Sequence, residues 1–138
     1  MGKIIIEAKD LVKTYQNGKN RLVVLDNINI QIREKSIISI VGESGAGKST
    51  LLNVLSSLDA FDNGELNIEG NNIKNFSDKQ LCSLRNSSIG FIFQFHHLLP
   101  DFNVRENILM PAWINKDYEK NKKADELLKN FGLKKISH

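Results

Sequence analysis

The first third of the chain has the alternating pattern of apolar and polar residues that is typical of β-strands. Residues 4–11 contain an isoleucine triplet and predict a first strand, which ends in a turn over residues 13–18. Residues 22–25 predict a second strand, and alternation over residues 28–32 predicts a third after a turn at residues 26–27. Short strands joined by turns indicate an antiparallel β opening.

Two later segments are almost continuously apolar. Residues 37–41 and 89–93 therefore predict strands that are buried on both faces, rather than strands with one face in solvent. Between them, a turn signal at residues 62–65 precedes residues 66–68, which alternate again and predict one more half-buried strand.

The remaining segments have helical periodicity. Residues 51–55 present apolar side chains at helical spacing, and a last helix is predicted over residues 117–130. Two further helices begin with the spacing of a capping box, in which two side chains bond to each other's backbone N–H groups. The two capping pairs are Ser77 with Gln80 and Asn103 with Glu106.

Length and composition restrict the class of protein. The 138 residues are 41% hydrophobic and 25% charged, which is typical of one soluble globular domain. No apolar run approaches the roughly 20 residues that cross a bilayer, and the N-terminus lacks the apolar stretch of a signal peptide. Cys82 is the only cysteine, which excludes an internal disulfide. We therefore expect a cytoplasmic protein.

The net charge of +3 raises the question of a nucleic-acid or membrane-surface partner. The lysines over residues 116–135 alternate with acidic residues, however, as on the solvated face of a helix. We therefore predict that the chain does not bind nucleic acid.

The segment between the first buried strand and the helix that follows it carries the clearest chemistry. Gly42 and Gly47 have the separation of a P-loop and are followed directly by Lys48 and Ser49. Glycines let the backbone turn several N–H groups inward, and the N-terminus of the next helix adds positive partial charge. Lys48 then provides a cation for the β and γ phosphates, and the Ser49 hydroxyl is a ligand for Mg2+. The predicted nucleotide-binding residues are Gly42, Glu43, Ser44, Gly45, Ala46, Gly47, Lys48, Ser49 and Thr50.

The alternative interpretation is a glycine-rich turn that happens to precede an amphipathic helix. Agreement between the motif and its strand, loop and helix context favours the nucleotide site. A P-loop alone indicates only a nucleoside triphosphate and leaves the use of that nucleotide open.

Three more features accompany the P-loop: Tyr15 after the first strand, Gln94 at the end of the strand predicted over residues 89–93, and the amino-acid sequence of residues 90–102. With these features the chain resembles the ATP-binding subunit of ABC transporters over all of its 138 residues. The resemblance implies an α/β P-loop NTPase with an N-terminal antiparallel β subdomain, an incomplete parallel core sheet and the start of a helical subdomain. In that pattern, residues 1–94 form the β subdomain and P-loop core, and residues 95–138 form the truncated helical subdomain.

The resemblance also implies ligands and roles for two of these residues. Tyr15 matches the family's aromatic residue that stacks on adenine, although a tyrosine that only packs over a turn is the alternative. Gln94 matches the glutamine that reaches Mg2+ and the attacking water and moves with the helical subdomain, although a polar residue that merely ends a strand is the alternative. The implied ligands are ATP, with Mg2+ held by Ser49 and Gln94.

Residues 90–102 resemble the lipoprotein-releasing branch of the family, whose relatives include macrolide-efflux and cell-division ATPases. That branch drives transfer of lipidated proteins out of the bacterial inner membrane. Within this stretch His96 and His97 are adjacent, but neighbouring residues rarely converge on one metal ion. In the family the stretch faces the membrane subunit, so an interface role is expected for it.

Several family elements come further along the chain than residue 138: the signature motif, the Walker B strand, the catalytic glutamate and the switch histidine. Asp101 and Glu106 are the carboxylates nearest to Gln94 in sequence, but the family places neither on the nucleotide. We therefore predict no catalytic residue in this chain, weak binding of MgATP at most, and no detectable turnover. A shortened version of a longer protein and an incomplete gene product both fit this pattern.

The partners that the resemblance implies are transmembrane permease subunits and a second ATPase subunit, at the cytoplasmic face of the bacterial inner membrane. Two copies of the present chain would join two P-loops without a signature motif. Because the family places the Walker B strand beside the P-loop strand, we also expect an apolar sheet edge that favours aggregation or strand exchange.

Two other functions compete with a transporter ATPase. A small-molecule kinase would use the same phosphate-binding loop, but Tyr15, Gln94 and the long β opening are not expected in one. A catalytically inert, nucleotide-binding fragment agrees with the missing catalytic elements.

Overall fold

The computed structural model describes residues 2–95 and 97–136, and the chain divides after Arg85 into two compact units. Helix α2 contains this boundary. The strands are β1 (Ile4–Asn17), β2 (Asn20–Arg33), β3 (Asn63–Ile68) and β4 (Asn71–Asn72). The helices are α1 (Lys48–Leu55), α2 (Asp78–Ser88), α3 (Val104–Ile114) and α4 (Asn121–Asn130), with single 3-10 turns at Ile73–Asn75, Tyr118–Lys120 and Lys134–Ile136.

The predicted antiparallel β opening is confirmed. The strands of the first unit form one sheet in the order β2-β1-β3-β4, and each neighbouring pair is antiparallel. Ile6 of β1 lies opposite Ile32 on one side and Ile68 on the other. The buried side of this unit contains Ala8, Leu11, Leu25, Val54, Leu55, Leu66, Ile68 and Ile73. The burial of Val54 and Leu55 with the sheet residues anchors helix α1, which begins at the P-loop lysine.

The prediction of two strands separated by a turn at residues 26–27 is wrong, because one strand, β2, covers both segments. The chain continues as one strand, but Asn27 has a φ of 49° and the pairing with β1 shifts register on either side of Leu11. Asn29 bridges the irregularity, because its side chain accepts from the Asp10 N–H at 3.0 Å and donates to the Asp10 carboxylate at 3.1 Å. The turn residues therefore form a bulge inside a longer strand.

Strand β3 begins at Asn63, inside the segment predicted as a turn over residues 62–65. Gly64 has a φ of 95°, and a β-carbon there would lie 2.4 Å from the carbonyl oxygen of Asp10. Gly64 suggested a turn in the sequence, but glycine is needed here because the backbone of β3 lies very close to the irregular part of β1.

Neither apolar run predicted as a buried strand is a strand in the structure. Residues 37–41 and 89–93 are irregular, and Ile37, Val41 and Ile92 are almost fully exposed to solvent. Strands need neighbours for their backbone hydrogen bonds, and within residues 2–95 and 97–136 no other strand pairs with these segments. The parallel core strands are therefore absent from this part of the chain, although the apolar pattern of the sequence is present.

The predicted helix starts are confirmed. The Ser77 N–H donates to Gln80 Oε1 at 2.9 Å, and the Gln80 N–H donates to Ser77 Oγ at 3.4 Å. Asn103 and Glu106 form the same reciprocal pair at α3, at 2.9 and 2.8 Å. Helix α4 is shorter than the predicted helix over residues 117–130, because a 3-10 turn precedes it.

Candidate nucleotide-binding site

The predicted P-loop leads directly into helix α1. The first helical hydrogen bond runs from the Leu51 N–H to the Gly47 carbonyl at 2.8 Å. Gly47 has a φ of 85°, and a β-carbon there would lie 3.0 Å from the Val24 carbonyl oxygen of β2. Both the backbone conformation and the close approach to β2 therefore require glycine at the start of the helix.

A cavity of about 350 Å³ lies at this helix start. It is lined by Val24, Ser44, Gly45, Gly47, Lys48, Ser49 and Thr50, none of which is acidic. The first turn of α1 contains no carboxylate, and no side chain caps its N-terminus. The N–H groups at the helix start and the Lys48 ammonium therefore give the cavity a positive character that suits an anion.

Lys48 folds back over the loop that precedes it. Its Nζ donates to the carbonyl oxygens of Gly42 at 2.9 Å and Glu43 at 2.6 Å. The loop is closed by a hydrogen bond from the Ala46 N–H to the Glu43 carbonyl at 3.2 Å. These bonds hold the ammonium beside the cavity, where phosphate oxygens would compete with neutral carbonyl groups for it.

The structure brings most of the predicted loop residues to one place. Ser44, Gly45, Gly47, Lys48, Ser49 and Thr50 line the cavity. Gly42, Glu43 and Ala46 contribute carbonyl and N–H groups to the hydrogen bonds within the loop. Ser49 is exposed, as a hydroxyl that ligates Mg2+ beside a phosphate must be accessible.

Tyr15, predicted to contact the base, is held by two charged residues. Its hydroxyl donates to Asp59 Oδ2 at 2.6 Å, and Lys13 Nζ lies 4.9 Å from the centroid of its ring. Lys13 is buried and donates to Asp59 Oδ1 at 2.7 Å and to the Ala60 carbonyl at 2.6 Å. The ring remains 39% exposed, so part of it is open for stacking.

These contacts shift the ionisation of both acidic groups. The hydrogen bond to Asp59 raises the pKa of the Tyr15 phenol, and Thr50 acts on the same phenol in the opposite direction. Burial acts to raise the pKa of Asp59, but hydrogen bonds from Lys13 and Tyr15 outweigh it and hold that pKa below its ordinary value. Asp59 also links Tyr15 to the P-loop helix, because the Asp59 N–H donates to the Asn53 carbonyl of α1 at 3.1 Å.

Gln94 belongs to the second unit, where it is exposed in an irregular segment. Its predicted role at Mg2+ stays a prediction. His96 lies outside the described residues, and His97 packs edge-on against Phe93 with ring centroids 4.6 Å apart. Over residues 2–95 and 97–136, no group of three or more histidine, cysteine or acidic side chains could hold a metal ion.

Lys13, Val24 and Asp59 contribute to this region but were not predicted from the sequence. Lys13 and Tyr15 are two residues apart on a strand, so a shared face could have been predicted for them. Asp59 lies 46 residues from Lys13, and Val24 reaches the loop through the packing of β2 against α1. No local pattern marks either residue.

A glycine-rich loop that enters a helix beside an antiparallel sheet, with a lysine and three hydroxyl residues at one cavity, defines a P-loop NTPase of the α/β class. The sequence profile of the ABC transporter family matches residues 25–138. The chain therefore belongs to the ABC transporter family.

Two relatives indicate which branch of the family the chain resembles. The chain is 44% identical to the lipoprotein-releasing system ATP-binding protein LolD of Wigglesworthia glossinidia brevipalpis, covering 98% of this chain and 60% of the relative. It is 44% identical to the protein of the same name from Geobacter metallireducens, covering 94% of this chain and 58% of the relative. The chain thus spans about 60% of the length of the curated relatives that it matches.

The solved structures that it resembles include two dimeric forms of the ATP-binding cassette MJ0796. One is a post-hydrolysis state bound to ADP and Pi, with a TM-score of 0.82 and 35% identity over 91% of this chain and 56% of that chain. The other, a bacterial ABC transporter cassette, has the same TM-score and 36% identity over the same shares. In the part of this chain that the structure describes, every helix is too short or too polar to cross a membrane.

Proposed function

We propose that this chain is the nucleotide-binding part of an ATPase subunit that drives release of lipoproteins from the bacterial inner membrane. The observation that carries the proposal is the positive cavity at the start of α1, built from the P-loop residues of a chain in the ABC transporter family. The cargo assignment is supported by the names of the relatives, each a lipoprotein-releasing system ATP-binding protein.

The residues at the cavity fit a nucleoside triphosphate with its metal ion. Lys48 and the N–H groups at the start of α1 would hold the β and γ phosphates. The Ser49 hydroxyl is a hard oxygen ligand of the kind that Mg2+ prefers, and Gln94 remains the second ligand that the family resemblance implies. Bound Mg2+ supplies neutralisation of phosphate charge. Tyr15 would stack on the base beside the same helix.

Hydrolysis needs groups beyond this cavity. Its lining contains no carboxylate that could orient an attacking water, and Lys48 is the one cation among the described residues that line it. The proposed partner is therefore a second ATPase subunit that closes over the nucleotide, as expected from the dimeric form of the MJ0796 cassette. The chain alone is expected to bind MgATP weakly and not to turn it over.

The proposed position is the cytoplasmic face of the inner membrane, against transmembrane permease subunits. The irregular segment after residue 93 supports this proposal, because Phe95 and Leu98 expose 69% and 63% of their surface. Exposed apolar groups of this size are typical of a surface that meets another protein.

Affinity purification from bacterial membranes tests the assignment. A tagged protein that contains this chain is purified in mild detergent, and the proteins bound to it are identified by mass spectrometry. Permease subunits with bound lipoproteins are the expected result, and Phe95→Asp with Leu98→Asp should abolish their recovery. Recovery of macrolide-efflux or cell-division membrane subunits instead would contradict the lipoprotein assignment and support one of those systems.

A further inference from the structure

The Tyr15 ring is fixed at two points. Its hydroxyl donates to one oxygen of Asp59, whose other oxygen accepts from Lys13. Lys13 Nζ also faces the ring, at 4.9 Å from the centroid. One face of the ring is therefore occupied by a cation, and a stacked group would use the exposed part that remains.

Lys13 explains why Asp59 stays in place. The lysine is 7% exposed, and a buried ammonium group must keep its hydrogen-bond partners. Those partners include the Asp59 carboxylate and the carbonyl oxygen of Ala60, the next residue. The bond from Lys13 of β1 fixes the position of the Asp59 carboxylate, and the fixed carboxylate orients the Tyr15 phenol.

Asp59 is also tied to the helix that begins at the P-loop. The N–H groups of Leu58 and Asp59 donate to the Asn53 carbonyl of α1, at 2.8 and 3.1 Å. Helix α1 starts at Lys48, so the phosphate-binding loop and the anchor of the ring lie at the two ends of one rigid helix. These hydrogen bonds therefore fix the Tyr15 hydroxyl relative to the helix that begins at the P-loop.

We infer that Asp59 is a positioning residue that orients the Tyr15 ring for the aromatic base of a nucleoside triphosphate. The inference rests on the proposed nucleotide site and adds to it a residue that touches neither phosphate nor base. The free energy of ATP binding then has two contributions, one from the polyphosphate and one from the base. The P-loop binds polyphosphate in either case, whereas the contribution of the base depends on the hydrogen bond between Tyr15 and Asp59.

Calorimetric titration with ATP and with inorganic tripolyphosphate tests this separation. Tyr15→Phe keeps the stacking ring and removes only the hydroxyl. It should weaken ATP binding about three- to tenfold, the size of effect of one lost hydrogen bond, and leave tripolyphosphate binding unchanged. Asp59→Asn leaves one acceptor oxygen for the two donors Lys13 and Tyr15, so it should cause an equal or smaller selective loss. Adding it to Tyr15→Phe should change ATP affinity little further, because both variants act on the same contact.

Asp62→Asn is the matched control. Asp62 accepts from the N–H and hydroxyl of Thr14 at 2.7 and 2.6 Å, and Thr14 precedes Tyr15 on β1. A loss of ATP affinity in Asp62→Asn would therefore report a general loosening of β1. Equal ATP affinity of Tyr15→Phe and the unmodified chain would overturn the inference, as would an equal loss for both ligands. An unmodified chain that binds the two ligands equally contradicts the inference alone, whereas one that binds neither also contradicts the proposed function.

A spectroscopic titration tests the contact without nucleotide. The chain has 2 tyrosines, so Tyr118→Phe leaves Tyr15 as the only source of tyrosinate absorbance. The pKa of the remaining phenol should lie above 10.0 and fall when Asp59→Asn is added, since the hydrogen bond to Asp59 raises that pKa. A Tyr15 pKa that Asp59→Asn does not change would overturn the inference.

Discussion

Two isoleucine-rich segments of the first unit have similar composition and different structures. Residues 4–6 lie in β1, between β2 and β3, and are half-buried. Residues 37–41 form no strand, and Ile37 and Val41 are almost fully exposed. The difference lies in the neighbours: β1 has a hydrogen-bonding partner on each side, whereas among the described residues no strand pairs with residues 37–41. Apolar composition therefore predicts where a strand can form, and the partner decides whether it does.

The largest expected effect comes from truncating one side chain in each region. Leu66→Ala in β3 should lower the free energy of unfolding by about 3 kcal/mol, because Leu66 is fully buried and its loss leaves a cavity. Ile37→Ala, which removes an isomeric side chain that is 99% exposed, should change it by less than about 0.5 kcal/mol. Urea denaturation of both variants makes the comparison. Equal losses would mean that residues 37–41 are packed in solution.

Hydrogen exchange sharpens the same comparison at the backbone. The amides of β1 that pair with β2 and β3 should exchange at least about a hundredfold more slowly than those of residues 37–41, because only the former are hydrogen-bonded in a sheet. Mass spectrometry of peptic fragments resolves the two segments. Equal protection would indicate that the second segment has found a strand partner, for example in another copy of the chain.

A smaller effect is expected at the start of α3, where a local sequence rule and the structure agree. Asn103→Ala should destabilise the second unit by about 1 kcal/mol, because the Glu106 N–H loses its side-chain acceptor. Asn103→Asp, which retains an acceptor, should be nearly neutral. Thermal unfolding followed by circular dichroism measures both variants, and an equal loss in the two would exclude the cap as the cause.

The smallest effect is a loss of stability in acid. Hydrogen bonds from Thr14 hold the pKa of Asp62 below its ordinary value of 3.8, and Lys13 and Tyr15 outweigh burial to do the same for Asp59. Both carboxylates bind protons less readily in the folded state, so their stabilisation is present above the ordinary pKa and is lost as pH falls through the folded one. The unfolding free energy should decline below about pH 4, less steeply in Asp62→Asn. An unchanged slope in that variant would contradict the assignment.

Features that depend on residues close together in the sequence could be predicted, and features that depend on distant residues could not. The capping pairs depend on residues a few positions apart and formed as predicted. The P-loop residues are also close in sequence and most of them line one cavity, while their binding of nucleotide stays a prediction. The bulge at Asn27 and the role of Gly64 depend on how β1 meets two other strands, which no local pattern contains. Asp59 was missed for the same reason, because its contact with Tyr15 spans 44 residues.

Titration of ATP into the unmodified chain and into Lys48→Ala tests the central claim most directly, with Lys19→Ala as a control for the loss of one exposed positive charge. We expect weak but measurable affinity, lowered at least about tenfold in Lys48→Ala and unchanged in Lys19→Ala. Equal affinity in the Lys48→Ala variant and the unmodified chain would contradict a phosphate site at the start of α1.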